Sequence, residues 1–583
     1  MTASTDRWIA DNEFDPKYPL WTRANAGEVL PDPPSPLGWE LVFEGAAILG
    51  WRDSMINRLG IEEHEVHDSR PQVMGIFGGY TYLGATLLRV WAERTPGFSA
   101  EMLDAAYFAG HPDVPVYVAE PWHENQHTTD VMTQWLGWVM ADMNQDELET
   151  DRVDAHRIRA ERPDLSTATD AELLARALEL KPVCRRMFNQ HINQSGAAGI
   201  GPGVIGAVCA AIGQPESAMK LMAGVGGVDS AAPSYAMWEL SRTVKASQAL
   251  TEIFDAAGDS GIYARLQSSD DAEAQAFLAQ LREFLVEYGS RGANEWDIRA
   301  GTWETTPDLA LVLIATMRAA DDDGSPVTEN TSRAAEREQL SAQITEALAA
   351  DPEAQGQFQA ALASSATFMA GRERSKTNII RVIGEVRMAM WEIGRRAVER
   401  GELDEAADIC LFFVDEVEQL VGGELADVRA IATARNAHHE FLSEREPPFI
   451  FSDAPPPPTE WPLRGGTTAS TLAVGETITG LAGCAGVATG RAVIVDHPSD
   501  PGDLGPGDIL IAPMTDPAWT PLFVPAEGVV VNVGAPLSHA IIVSRELGIP
   551  CVVSANDATE RIPNGALVEV NGGTGVVTLL ELP

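Results

Sequence analysis

Apolar residues recur at helical spacing, with polar outer faces, along residues 170–190, 234–257, 270–290, 333–364 and 376–400. That periodicity predicts amphipathic helices, so residues 1–450 are expected to be mainly helical. Near residue 450 the texture changes. The stretch FSDAPPPPTEWPLRGG holds four consecutive prolines, Pro455 to Pro458, followed by Gly465 and Gly466. Proline lacks a backbone donor and stiffens an extended chain, so residues 451–475 are expected to be a linker with some reach. From about residue 476, short valine-rich runs separated by glycine turns predict strands: GVATGRAVIV, GDILIAP, GVVVNVG, CVVS and ALVEVNGGTGVVTLL. One helix interrupts them, Ser538 to Leu547, stopped by Gly548 and Pro550. The expected fold class is multi-domain α and α/β: a large helical domain over 1–450, the linker 451–475, and a small β/β/α domain over 476–583 that moves as a unit.

Composition narrows the function classes. Of 583 residues, 85 are acidic and 41 basic, a formal charge of −44, which excludes coating nucleic acid or an anionic membrane by bulk charge. Hydrophobic residues make up 45% and charged residues 22%, ordinary for a globular protein and incompatible with wholesale disorder. The five cysteines (Cys184, Cys209, Cys410, Cys484, Cys551) are scattered and form no CxxC, which fits buried thiols in a reducing cytoplasm. The N-terminus MTASTDRWIADNEFDP is charged and lacks the apolar core of a signal peptide. The uncharged run Gly196 to Gly213 is glycine-rich and weakly hydrophobic, so a buried helix or loop is expected there, with no membrane span.

The strongest chemical signal lies in GAPLSHAIIVSRELGIP. A strand over 528–533 runs into a turn, and Ser538 and His539 open a helix. A helix start carries unpaired N–H groups and partial positive charge, a cradle for a phosphate dianion. Imidazole is a nucleophile near neutral pH and can pass a phosphoryl group on. On position alone, a capping or packing histidine is the commoner role. The words GDILIAPMTDPAWTPLF and EGVVVNVGAPLSHAIIVSRELGIPCVV change that balance. They resemble the swivelling phosphohistidine domain of the PEP-utilising enzymes, the group of PEP synthase, pyruvate phosphate dikinase, rifampicin phosphotransferase and phenylphosphate synthase. The resemblance covers about 475–583 and implies that His539 is the phosphate carrier. Ala535 and Pro536 stand where relatives often have glycine.

The helical part carries further similarity. WTRANAGEVLPDPPSPLGW (21–39), YGSRGANEWDIRAGTWE (288–304) and GRRAVERGELDEAADICLF (394–412) resemble the substrate-binding domain of rifampicin phosphotransferase-like proteins, with Ser290 where relatives usually have histidine. RERSK at 372–376 matches that family's R-E-x-x-K, which lines the transfer site, and so assigns Arg372, Glu373 and Lys376. The residue pattern agrees. The apolar stripe Ile379, Ile383, Val386, Met390, Ile393, stepped back at helical spacing, lands on Lys376 and Arg372. Two cations on a core-facing stripe must be paired or line a polar pocket. As i,i+4 neighbours they can grip one phosphate, and Glu373 can act as general base on an acceptor hydroxyl. A solvated helix end, with Arg374 and Arg387 nearby, is the bland alternative.

Other motifs carry less. His123-Glu124-Asn125-Gln126-His127 spells HExxH in a polar loop context, which predicts no zinc peptidase. Gly201-Pro202-Gly203-Val204-Ile205-Gly206 fits GxGxxG but follows no strand, which predicts no dinucleotide site. The pairs His64/His67 and His438/His439 are expected to be solvated. Trp39, Trp51, Met74, Trp91, Trp122, Met132, Trp135 and Trp138 could floor an apolar acceptor pocket or form plain core.

Relatives make phosphohistidine from ATP in an ATP-grasp domain, or from PEP in a TIM barrel. Neither is recognised before Trp21 or after His539 in this sequence. The resemblance therefore implies the split arrangement of phenylphosphate synthase. A cytoplasmic phosphotransferase subunit would receive the β-phosphoryl of Mg2+-bound ATP on His539 from a separate ATP-grasp subunit, releasing AMP and phosphate. It would then deliver that group to a small, apolar alcohol or phenol. The alternatives are a self-sufficient phosphotransferase with an unrecognised nucleotide site, or a non-catalytic binding or regulatory relative.

Overall fold

The computed structural model describes residues 5–66, 71–108, 111, 113–257, 261–322, 325–465, 470–536 and 538–583. It divides into two compact units, each assembled from three stretches of chain. The first comprises Met1–Ser195, Asn294–Gly301 and Ser375–Thr467; the second comprises Gly196–Ala293, Thr302–Arg374 and Thr468–Pro583.

The first unit is mainly helical but contains a four-stranded antiparallel sheet, in the order Met74–Phe77, Tyr80–Gly84, Trp21–Thr22, Ile450–Phe451. The helical periodicity of 1–450 gave no sign of it. The strands are two to five residues long, too short to show a period of two, and one pair joins Trp21 to Phe451. Gly78 and Gly79 turn the hairpin at φ 59° and 76°, a region open mainly to glycine. Trp21, Phe77, Tyr80, Tyr82, Leu442 and Trp461 cluster on this sheet.

The expected linker starts inside this unit. Phe451 is a strand residue. Trp461 is buried, with its indole N–H donating to Pro456 O at 2.9 Å, and Arg464 pairs with Asp32. A stiff, donor-poor segment has found an aromatic anchor, so the chain is tied down as far as Arg464.

The helix expected over 376–400 is longer than its periodicity indicated. Asp351 Oδ1 accepts from Ala354 N, proline occupies the first turn, and one helix runs Pro352–Glu399. Its residues through Arg374 belong to the second unit and those from Ser375 to the first. Ile379, Ile383, Val386, Met390 and Ile393 are all buried, as the stripe predicted.

The second unit joins helices to an eight-stranded sheet. Its order is Thr477–Thr479, Val576–Glu581, Leu567–Asn571, Val487–Ile494, Ile509–Ala512, Gly528–Val531, Cys551–Val553, Leu481–Cys484. The four strands from Val487 to Val553 run parallel; the flanking pairs are antiparallel. Alternate residues enter different cores. Leu510, Val529 and Val531 join a cluster with Met237, Leu311, Phe523 and Val543, while Ile509, Ile511 and Val530 join Val568 and Leu579. Burial on both faces explains the unbroken valine runs. The five cysteines are free and buried, and burial pushes the Cys484 thiol up to about 11 and Cys551 up to about 12. Among the described residues no helix is long and apolar enough to cross a membrane; Gly196–Gly213 contributes the helix Ile200–Ala211.

Candidate functional site

His539 is the first residue of the helix His539–Leu547, capped in position by extended Ser538 and ended by Gly548 at φ 72°. The turn before it needs glycine at 534, where a Cβ would lie 2.8 Å from Val553 Cβ. The imidazole is 9% exposed. Its Nε2 lies 2.9 Å from Thr520 Oγ1 and its Nδ1 3.3 Å from Thr515 Oγ1, with the Phe523 ring edge-on at 6.0 Å. Both threonines come from MTDPAWT, where Asp516 accepts from Ala518 N and sets the short 3-10 turn that presents Thr520. The sequence alone did not assign these hydroxyls; their signal was a threonine on either side of an Asp-Pro turn. Ser538 Oγ, buried beside the imidazole, has no partner within the protein.

The far end of this helix is held within the same unit. The Glu546 carboxylate accepts from Val225 N (2.9 Å), Gly226 N (3.2 Å) and Asn330 Nδ2 (2.7 Å). Arg333 donates to Gly548 O at 3.1 Å.

Arg372 and Glu373 also lie in the second unit. They pair directly, Nη1 to Oε1 at 2.6 Å, with Glu373 3% exposed. Arg374 lies 3.8 Å from Asp229. These residues sit mid-helix and largely buried, so the solvated helix end is ruled out.

Lys376 falls in the first unit, its Nζ 3.7 Å from Glu295 Oε1. Glu295 is placed by the segment Asn294–Gly301. Fully buried Arg387 donates to Glu295 O (2.7 Å) and Asp297 O (3.1 Å), and the Asp297 carboxylate accepts from Ser35 N (2.7 Å). Asn294 adopts φ 53° to make the turn. Next to Lys376, Ser375 Oγ lies 2.9 Å from His191 Nδ1. Ser290, in the second unit, is buried.

The minor motifs resolve into structural roles. His123 ends a 3-10 turn with Nδ1 2.7 Å from the Tyr117 hydroxyl, whereas exposed His127 lies in the next helix, Gln126–Gly137, so one helix does not hold both. Gly201 is inside a helix, where a Cβ would lie 2.5 Å from Ser365 N; the glycine lets two helix backbones touch. His64 is exposed beside Glu62, and His67 lies outside the described residues. His439 is half-buried against Pro33 O and Arg299, contrary to the solvated position expected, and burial lowers its pKa. Trp39, Trp51, Met74, Trp91, Met132 and Trp135 are buried core residues of the first unit.

Two family models match the chain. Residues 190–373 match the rifampicin phosphotransferase fourth domain, and residues 504–575 match the PEP-utilising enzyme mobile domain. The second match contains Thr515, Thr520 and His539; the first ends at Glu373. An uncharacterized protein of Mycobacterium tuberculosis strain H37Rv is 28% identical over 599 residues, 98% of this chain and 63% of its own. Rifampicin phosphotransferase of Bacillus cereus is 27% identical over 300 residues, 51% of this chain and 34% of its own. The prodigiosin synthesizing transferase PigC of Serratia marcescens is 29% identical over 347 residues, 58% of this chain and 38% of its own. The chain thus spans less than two thirds of the length of these relatives. Its helical segment 190–373 is thus similar to a rifampicin phosphotransferase fourth domain and its segment 504–575 to the mobile domain of the PEP-utilising enzymes.

Proposed function

We propose that this chain is a phosphotransferase that carries a phosphoryl group on His539 and delivers it to the hydroxyl of a small, apolar alcohol or phenol. The observation that carries this is the chemistry packed around one imidazole: a helix-opening position, two neutral hydroxyls on its ring nitrogens, and the partnerless Ser538 Oγ beside it. A phosphoryl group on either nitrogen displaces one threonine hydrogen bond. It gains Ser538 and the first-turn N–H groups as donors.

In the transfer, Arg372 and Lys376 stabilise the charge on the equatorial oxygens of the moving group. Glu373, which the sequence offered as a general base, is paired with Arg372 and holds that guanidinium in place. The donor step is assigned to a separate ATP-grasp subunit that binds Mg2+ and ATP and passes on the β-phosphoryl, leaving AMP and phosphate. Mg2+ supplies neutralisation of phosphate charge on that partner.

The test is phosphorylation of the full chain, by β-labelled ATP with an ATP-grasp subunit in trans and by labelled phosphoramidate alone. Acid-labile label is expected at His539, located by mass spectrometry, and is expected to vanish in His539→Ala. Equal label in both proteins refutes the carrier role.

A further inference from the structure

We propose that His191, working through Ser375, takes the proton of the accepting hydroxyl, an inference that rests on the phosphotransfer function above. Every residue involved belongs to the first unit. His191 projects from the helix Asp170–Ala197, and its Nδ1 lies 2.9 Å from Ser375 Oγ. Its ring is fixed by aromatic neighbours, Phe188 at 5.8 Å and Trp296 at 6.1 Å. Ser375 is 2% exposed and immediately precedes Lys376, the cation assigned to the moving phosphoryl group. Ser375 and Lys376 are consecutive on the helix Pro352–Glu399, so the histidine–serine pair lies one residue along the chain from that cation.

A second observation points to a polar ligand at the same place. Trp296 Nε1, Gln194 Oε1, Gln190 Oε1 and Asn378 Oδ1 are buried and have no hydrogen-bond partner within the protein. Gln190 and Gln194 flank His191 on its helix, and Asn378 lies one turn beyond Ser375. Each orphaned buried polar atom costs about 1–3 kcal/mol, so several of them on the helix turns that carry the histidine–serine pair and on its ring neighbour Trp296 point to a ligand with donors and acceptors. Glu373, by contrast, is engaged by Arg372.

The acceptor oxygen forms its bond to phosphorus as the N–P bond of phosphorylated His539 breaks. The bonding pair returns to that ring nitrogen, and a ring already protonated on its other nitrogen leaves as neutral imidazole. The acceptor's proton passes to Ser375 Oγ, and the Ser375 proton passes to His191 Nδ1, leaving an imidazolium that releases its proton to solvent.

The experiment loads the full chain at His539 with labelled phosphoramidate and follows loss of label to water and to added phenol across pH. Wild type is expected to show a bell-shaped pH profile, with a rising limb because only neutral His191 accepts a proton and a falling limb because the phosphorylated ring loses the proton it needs to leave as neutral imidazole. His191→Gln is expected to take up the same label, then lose it about 100-fold more slowly and without the rising limb. Ser375→Ala, which keeps the imidazole but cuts the relay, is expected to do the same. Normal labelling with wild-type rate and pH profile in both variants overturns the role of His191 and leaves the carrier function standing. A wild-type chain that takes no label at His539 overturns both.

Discussion

Glu546 gives the sharpest test of how the histidine-bearing helix is held. Its carboxylate is 2% exposed and accepts three hydrogen bonds, from Val225 N, Gly226 N and Asn330 Nδ2. Glu546→Gln keeps the volume but turns one acceptor oxygen into a donor, so at least one of those N–H groups loses its partner. An orphaned donor costs about 1–3 kcal/mol, which is roughly a 5- to 150-fold rise in local opening. Amide hydrogen exchange reads this directly: residues 224–226 and 539–547 should exchange faster by that factor, while the first unit is unchanged. The pH dependence has a definite sign. Burial raises the folded-state pKa of Glu546 above its ordinary 4.5, despite the hydrogen bonds from Val225, Asn330 and Gly226. Its contribution to stability is therefore full below the unfolded value and falls as pH rises through the folded one. The stability gap between wild type and Glu546→Gln should be wider in mild acid than at neutral pH. Unchanged exchange at 224–226 and 539–547, or a gap that widens with rising pH, refutes the reasoning.

Two further substitutions test the framework. Trp461→Ala empties the aromatic cluster that anchors the proline-rich segment and should cost about 3–5 kcal/mol in urea denaturation; a loss under about 1 kcal/mol would show that the anchor is dispensable. Gly201→Ala puts a Cβ 2.5 Å from Ser365 N and 2.7 Å from Ala361 O, and should lower stability by about 1–3 kcal/mol; an unchanged thermal midpoint would show that the two helices separate freely.

Local features of the chain were enough to define the histidine-bearing helix. Ser538 starts it, Gly548 ends it in the left-handed region, and both effects act within one or two turns. The valine runs were equally legible, because strands buried on both faces need apolar residues at every position. The stripe from Ile379 to Ile393 fixed the buried face of its helix for the same reason. Tertiary structure decided the rest. The two-residue strands Trp21–Thr22 and Ile450–Phe451 exist only because they find each other across the chain. The loop Asn294–Gly301 joins the first unit because buried Arg387 and Ser35 satisfy and use its polar groups. Thr515 and Thr520 reach His539, and His191 reaches Ser375, through contacts between segments distant in sequence. Periodicity records which face of an element is buried. It carries no record of which distant side chain will lie opposite, because that choice is made when whole surfaces pack.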